Sequence, residues 1–236
     1  MLEPTKLNFD KFVLVHFIIP LLLFVLVLAV LEYFHVDLWI ARHFYNAGLH
    51  QWPHKESWLT ENVLHVGGRY FTYLLAAAVA LCWLISLRAD SAFFRYRRHL
   101  LFLLISGISG PLIIVLLKNH THIYCPWSLE LFGGDKPYVR LFDYAGGNLE
   151  VGHCFPAAHA GAGFTFLNLY FFLLLVKPDY KFYGLCFGLG LGMVYGIAQQ
   201  MRGAHFLTHD LFALAVCWFS SFVLFMLFFR KQLQWL

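Results

Sequence analysis

The stretch FVLVHFIIPLLLFVLVLAVL, residues 12–31, decides the architecture. It holds one polar side chain, His16. A helix needs about 20 predominantly apolar residues to cross the hydrocarbon core of a bilayer. No small-residue cleavage site follows, and the chain runs on into Leu31-Glu32-Tyr33-Phe34. The stretch therefore reads as a retained span and not as a cleaved signal peptide. Five further apolar segments, 70–87, 99–117, 160–176, 182–198 and 211–229, follow it. They are continuous runs without period-two alternation, which excludes a membrane β-barrel.

Composition agrees. Of 236 residues, 60% are hydrophobic and 13% charged, with mean hydropathy +0.66. A soluble domain carries about 25% charged residues. A water-exposed surface of this size could not be covered, so an ordinary soluble globule and a disordered chain are both excluded. Nor is there a basic stripe on a soluble surface of the kind nucleic acid requires. The expected fold is all-α: a single-domain polytopic bundle of six transmembrane helices, residues 1–236, with loops 32–69, 118–159 and 199–210 on one face.

Six spans place both termini on one side. That side carries ten Lys and Arg, including the cluster Arg95, Arg97 and Arg98, and the other carries seven. Basic residues in short loops mark the cytoplasm. The termini are thus expected inside and the three loops outside, in a bacterial-type inner membrane with its outer face toward the periplasm. The outer loops contain eleven of the thirteen histidines. Their aromatics Trp39, Trp52, Trp58, Tyr124, Trp127, Tyr138 and Tyr144 suit packing at headgroup level.

Three polar clusters sit where spans meet outer loops. Lys118 ends the third span and leads into Asn119-His120-Thr121-His122-Ile123-Tyr124-Cys125-Pro126-Trp127. Cys154-Phe155-Pro156-Ala157-Ala158-His159 opens the fourth. Gln199-Gln200-Met201-Arg202-Gly203-Ala204-His205-Phe206-Leu207-Thr208-His209-Asp210 joins the fifth to the sixth. Alone, Lys118 would be a snorkelling helix-end cation and His159 a structural histidine. Three such clusters at one depth on one face point to a shared pocket.

The chemistry these residue types suit is phosphoryl transfer. Lys118 and Arg202 would neutralise phosphate oxygens. Ala157 and Ala158 leave backbone N–H groups accessible at a helix start, a natural anion site. One histidine can attack phosphorus while a second protonates the leaving oxygen. The carboxylate cluster expected for a hard divalent cation is missing, so no metal or other cofactor is expected. The competing metal reading is zinc on His205 and His209, which share a helix face at i, i+4.

These clusters resemble the signatures of the type 2 phosphatidic acid phosphatase family. That family's membrane members have six helices and three motifs: Lys, six residues, Arg-Pro; then Pro-Ser-Gly-His; then Ser-Arg, five residues, His, three residues, Asp. Lys118 and Pro126 match the first, with Cys125 in place of the arginine. Pro156 and His159 match the second, with Ala157 and Ala158 in place of Ser-Gly. Setting His205 at the third motif's histidine puts Ala198-Gln199 at Ser-Arg and His209 at Asp, so Arg202 and Asp210 are displaced. The resemblance implies that His205 is the nucleophile, forming a phosphohistidine, and that His159 is the general acid. It also implies a carboxylate that orients the nucleophile, a role assigned here to Asp210, with His209 as the second candidate. The rival assignment makes His209 the nucleophile. Arg202, Arg140 and His122 are the candidates to replace the missing phosphate-binding arginines.

Cys125 and Cys154 both fall on the outer, oxidising side, next to motif prolines. A disulfide between them would tie the first signature to the second and stabilise the fold by about 3 kcal/mol; the alternative is two free thiols. Cys82, Cys186 and Cys217 lie in spans as small apolar packing residues. The long outer segment, with Gly133-Gly134 and Gly146-Gly147 as hinges, is expected to form a lid or headgroup pocket.

A pocket at this depth implies a phosphorylated membrane lipid as partner. Family substrates are undecaprenyl diphosphate, phosphatidylglycerophosphate, phosphatidate and lipid A phosphates. The stretch Ala41-Arg42-His43-Phe44-Tyr45-Asn46 is similar to lipid A phosphatases. Two other functions use the same residues. One is a phosphotransferase passing the phosphoryl group to a lipid acceptor. The other is a non-catalytic lipid-phosphate-binding module, against which the retention of Lys118, His159 and His205 argues.

Overall fold

A computed structural model describes residues 9–143 and 149–233. Tyr144 and the Gly146-Gly147 hinge lie outside them. Six helices are long and apolar enough to cross a membrane. They are α1 (Phe9–Tyr33), α3 (Trp58–Ser86), α4 (Phe94–Lys118), α5 (Ala158–Val176), α6 (Pro178–Met201) and α7 (Leu207–Lys231), with a short helix α2 (Val36–Phe44) between the first two. No strand occurs among the described residues.

Helix α5 is the hub, with 61% of its apolar window buried against 11% for α1 and for α3. It can be central because α6 presents Gly184, Gly188 and Gly192 at every fourth position. A Cβ on these would lie 2.8 Å from the Leu169 backbone, 2.5 Å from Leu167 N and 2.1 Å from the Phe164 ring. Small residues on one stripe let two helix backbones touch. Helix α4 joins through a consequence of Pro111. A helical proline leaves the carbonyl four residues earlier unpaired. That carbonyl, Gly107 O, accepts a hydrogen bond from Thr165 Oγ1 of α5 at 2.7 Å. Asn168 Nδ2 adds bonds to Leu103 O and Ser106 Oγ, both at 3.0 Å.

At the end carrying the chain termini the core is aromatic. Phe12, Phe102, Phe171, Phe225 and Phe229 are almost wholly buried there. The other end is closed by loops. Trp52, Tyr124, Leu129, Phe132 and Phe206 form a second apolar cluster, so Trp52 and Tyr124 pack inside a protein cap rather than facing outward. Trp127 N donates to Gly203 O at 2.8 Å, joining the long loop to the α6–α7 turn. Gly133-Gly134 is a pinned turn rather than a hinge: Gly134 N donates to Leu129 O at 2.9 Å, and a Cβ on Gly134 would collide with Ser128.

Five helices run up to five residues beyond the expected spans, and the second departs further. The second span begins at Trp58 and not at residue 70. Its first turns carry Thr60, Glu61, Asn62 and His65, whose polarity lowers the local hydropathy although they sit in helix. The segment 199–210 is mostly helical, leaving only residues 202–206 as a turn between α6 and α7.

Candidate active site

The candidate site draws on four helix ends. Lys118 is the last residue of α4, His159 lies in the first turn of α5, Gln199 in the last turn of α6, and His209 in the first turn of α7. His205 occupies the α6–α7 turn, which Ala204 N→Gln199 O (2.9 Å) and Gly203 N→Gln200 O (3.0 Å) close. Gly203 has φ +73°, a conformation that favours glycine, and a Cβ there would strike the Trp52 ring at 2.4 Å. The start of α7 is held from outside: the Asp37 carboxylate of α2 accepts from Thr208 N at 3.0 Å and from the Thr208 hydroxyl.

His205 Nδ1 lies 3.4 Å from His209 Nδ1 and 3.4 Å from Cys154 Sγ. Its Nε2 has no hydrogen bond among the described residues. Burial holds the His205 pKa well below 6.5, and the charges of His209, Lys118 and His159 push it the same way. At neutral pH the imidazole is therefore unprotonated, the form a nucleophile requires. His209 is in contact with His205, and Lys118 and His159 are near enough for their charges to act on it. The half-buried Lys118 ammonium makes no hydrogen bond or ion pair among the described residues.

His159 donates from Nε2 to Leu64 O at 2.9 Å and stacks on Tyr195, with ring centroids 4.5 Å apart. This leaves Nδ1 as the atom able to exchange a proton. The edge of His65 meets His159 at 4.9 Å. His65 Nδ1 is 3.3 Å from Glu61 Oε2, and Glu61 also forms an ion pair with Arg202. Arg202 further donates to Lys55 O at 2.9 Å and to Gln199 Oε1 at 3.1 Å.

Several expected residues stand elsewhere. The Asp210 carboxylate accepts from Gln200 Nε2 at 2.6 Å and packs on Gly196. Consecutive helix residues point about 100° apart, so His209 turns to His205 and Asp210 turns to α6. Arg140 binds Glu32 at 3.3 Å, and His122 Nδ1 bonds Glu150 O at 3.1 Å. The Ala157 amide is taken by His209 O at 3.1 Å, while Ala158 begins α5. Arg202 reaches the pocket's flank, but with its charge paired to Glu61.

Cys125 and Cys154 are joined by a disulfide, with Cα atoms 5.3 Å apart. Among the described residues, Cys154, His205 and His209 are the trio whose ligand atoms come within 4.8 Å of one another. A disulfide sulfur is not a thiolate, so two imidazole nitrogens remain, short of the three or four protein ligands zinc takes. The donor set does not fit a zinc site.

Sequence reading missed Glu61 and His65, and took Gln199 only as the residue standing at a signature arginine. The i, i+4 acid–imidazole pair at 61 and 65, ahead of an apolar run, was the available signal for the first two.

The PAP2 superfamily matches residues 98–233, more than half of the chain, and the chain belongs to that family. It is also 26% identical over 200 residues to a lipid A 4'-phosphatase of Francisella tularensis subsp. novicida (strain U112), an alignment covering 84% of this chain and 88% of that protein. No solved structure matches.

Proposed function

We propose that this protein is a metal-independent lipid phosphate phosphatase that removes a phosphomonoester from an amphiphilic lipid of the lipid A type at the outer, periplasmic face of the bacterial inner membrane. Family membership and the lipid A 4'-phosphatase relative support a lipid phosphatase. The topology follows from the excess of basic residues on the side of the termini. The observation that carries the mechanism is the neutral His205 imidazole, with Nδ1 against His209 and Nε2 unengaged, inside the reach of Lys118 and His159.

His205 Nε2 attacks phosphorus as the bond from phosphorus to the lipid oxygen breaks. His159, entering the step as the imidazolium, gives that oxygen its Nδ1 proton while Nε2 stays bonded to Leu64 O, and Lys118 balances charge on the phosphoryl oxygens. His159 then takes a proton from water, whose oxygen displaces His205 and releases inorganic phosphate. His209 fills the orienting role. Rapid quenching with a lipid phosphate labelled in its phosphate should trap acid-labile label on the wild-type protein and on His209→Ala, and none on His205→Ala. Label retained by His205→Ala would overturn the assignment. Phosphate released without an acceptor lipid separates hydrolysis from phosphotransfer.

A further inference from the structure

We propose that reduction of the Cys125–Cys154 disulfide creates a zinc site, with Cys154 Sγ, His205 Nδ1 and His209 Nδ1 as its three protein ligands.

The distances carry the proposal. Tetrahedral zinc holds thiolate sulfur at about 2.3 Å and imidazole nitrogen at about 2.0–2.1 Å. At tetrahedral angles two such nitrogens stand about 3.3–3.4 Å apart, and a nitrogen and the sulfur about 3.5 Å apart. His205 Nδ1 lies 3.4 Å from His209 Nδ1 and 3.4 Å from Cys154 Sγ. The ligand atoms of all three residues fall within 4.8 Å of one another. While the disulfide stands, the sulfur is no thiolate and only two ligands are available. Breaking that one bond supplies the third.

The reductant is a dithiol. Cys125 is partly exposed and Cys154 fully buried, so an attacking thiolate reaches Cys125, and Cys154 leaves as thiolate beside the two imidazoles. The second thiol of the reductant then displaces Cys125. The dithiol ends as a disulfide, and the Cys125–Cys154 bond as two thiols. Released from Cys125, the Cys154 sulfur can turn about its Cα–Cβ bond, away from Ala204 O at 2.9 Å. Zinc(II) binds it as thiolate, its proton passing to water, and takes the Nδ1 lone pairs of two neutral imidazoles. A fourth position stays open, as in three-ligand zinc sites. The Lys118 ammonium acts on both imidazoles and opposes a dication; the thiolate charge offsets it. One consequence rests on the phosphatase reading above. A neutral imidazole has a single lone-pair nitrogen. Zinc on Nδ1 therefore keeps the His205 proton on Nε2, the attacking atom, and stops phosphate release.

The measurement is the zinc content of the full-length protein in detergent micelles, after equilibration with zinc sulfate and gel filtration, with thermal unfolding as a fold control. Cys125→Ser leaves Cys154 a free thiol without any reductant. It is expected to retain about one zinc per chain, as is the wild-type protein treated with a phosphine, which takes oxygen from water as it cleaves the disulfide. Untreated wild-type protein and phosphine-treated Cys154→Ser are expected to retain none. If Cys125→Ser does not fold, the treated wild-type protein against treated Cys154→Ser decides. Equal zinc in those two would overturn the proposal and leave the phosphatase reading intact. Zinc retained with phosphate release undiminished would keep the site and overturn His205 Nε2 as the attacking atom.

Discussion

At one end of the bundle Phe12, Phe102, Phe171, Phe225 and Phe229 bury nearly all their surface against one another, while at the other end the same helices bury His205, His209, Asp210, Gln199 and Arg202. The aromatic end leaves few polar groups to satisfy, and its rings meet in stacked and edge-on pairs such as Phe12–Phe225 at 5.4 Å and Phe102–Phe229 at 5.6 Å. Both ends leave buried atoms without partners: Gln199 Nε2 and Asp210 Oδ1 at the polar end, and His99 Nδ1, beside Phe229, at the aromatic end. Each such group costs about 1–3 kcal/mol. The polar end is tied together by the disulfide, the loop cap and the Asp37 carboxylate.

Substitutions at the two ends should therefore separate activity from stability. The largest effect is expected from His159→Gln at the polar end: a loss of about 10²–10⁴ in kcat on an alkyl phosphate, the range for a general acid. With an aryl phosphate, whose leaving group needs little protonation, the loss should shrink to within about tenfold. Equal losses on both substrates would remove His159 from the acid role. At the aromatic end, Phe225→Ala should destabilise by about 3–5 kcal/mol and leave KM for the protein that remains folded unchanged. Denaturation and kinetics on one preparation would check this, and a raised KM at full stability would break the division between the ends.

The smallest effect is a pH dependence at the brace. Burial, with a smaller push from Glu32, raises the Asp37 pKa from 3.8 to about 6, against the lowering by its Thr208 hydrogen bonds. Between those values the folded chain keeps a proton that the unfolded chain has released. Stability should accordingly fall as pH rises through this window, by roughly 3 kcal/mol in total, and hold level above it. Thermal unfolding from pH 3.5 to 7 should show the slope in the wild-type protein and a flatter profile in Asp37→Asn. Identical profiles would mean that Asp37 does not titrate there.

The six spans were legible because bilayer thickness converts apolar length directly into helices, as in residues 12–31. The start of the second span was not, because Glu61 and His65 lower the hydropathy of the turns that carry them. Lys118, His159 and His205 could be picked out since lysine and imidazole at membrane boundaries are costly to keep without a use. Asp210 misled because adjacency in sequence is not adjacency in space: one helical step sends it to Gln200 and leaves His209 beside His205.

Sequence alone determined the membrane class, the number of spans and which residue types could handle phosphate. Those follow from local quantities: hydropathy, length and the chemistry of single side chains. Which imidazole nitrogen is left unengaged, the pairing of Arg202 with Glu61, and the buried, unpartnered donor end of Gln199 depended on helices α3, α6 and α7 meeting at one end. They are set by packing between residues more than a hundred positions apart, as Glu61 and Arg202 are, and no local pattern encodes such a distance.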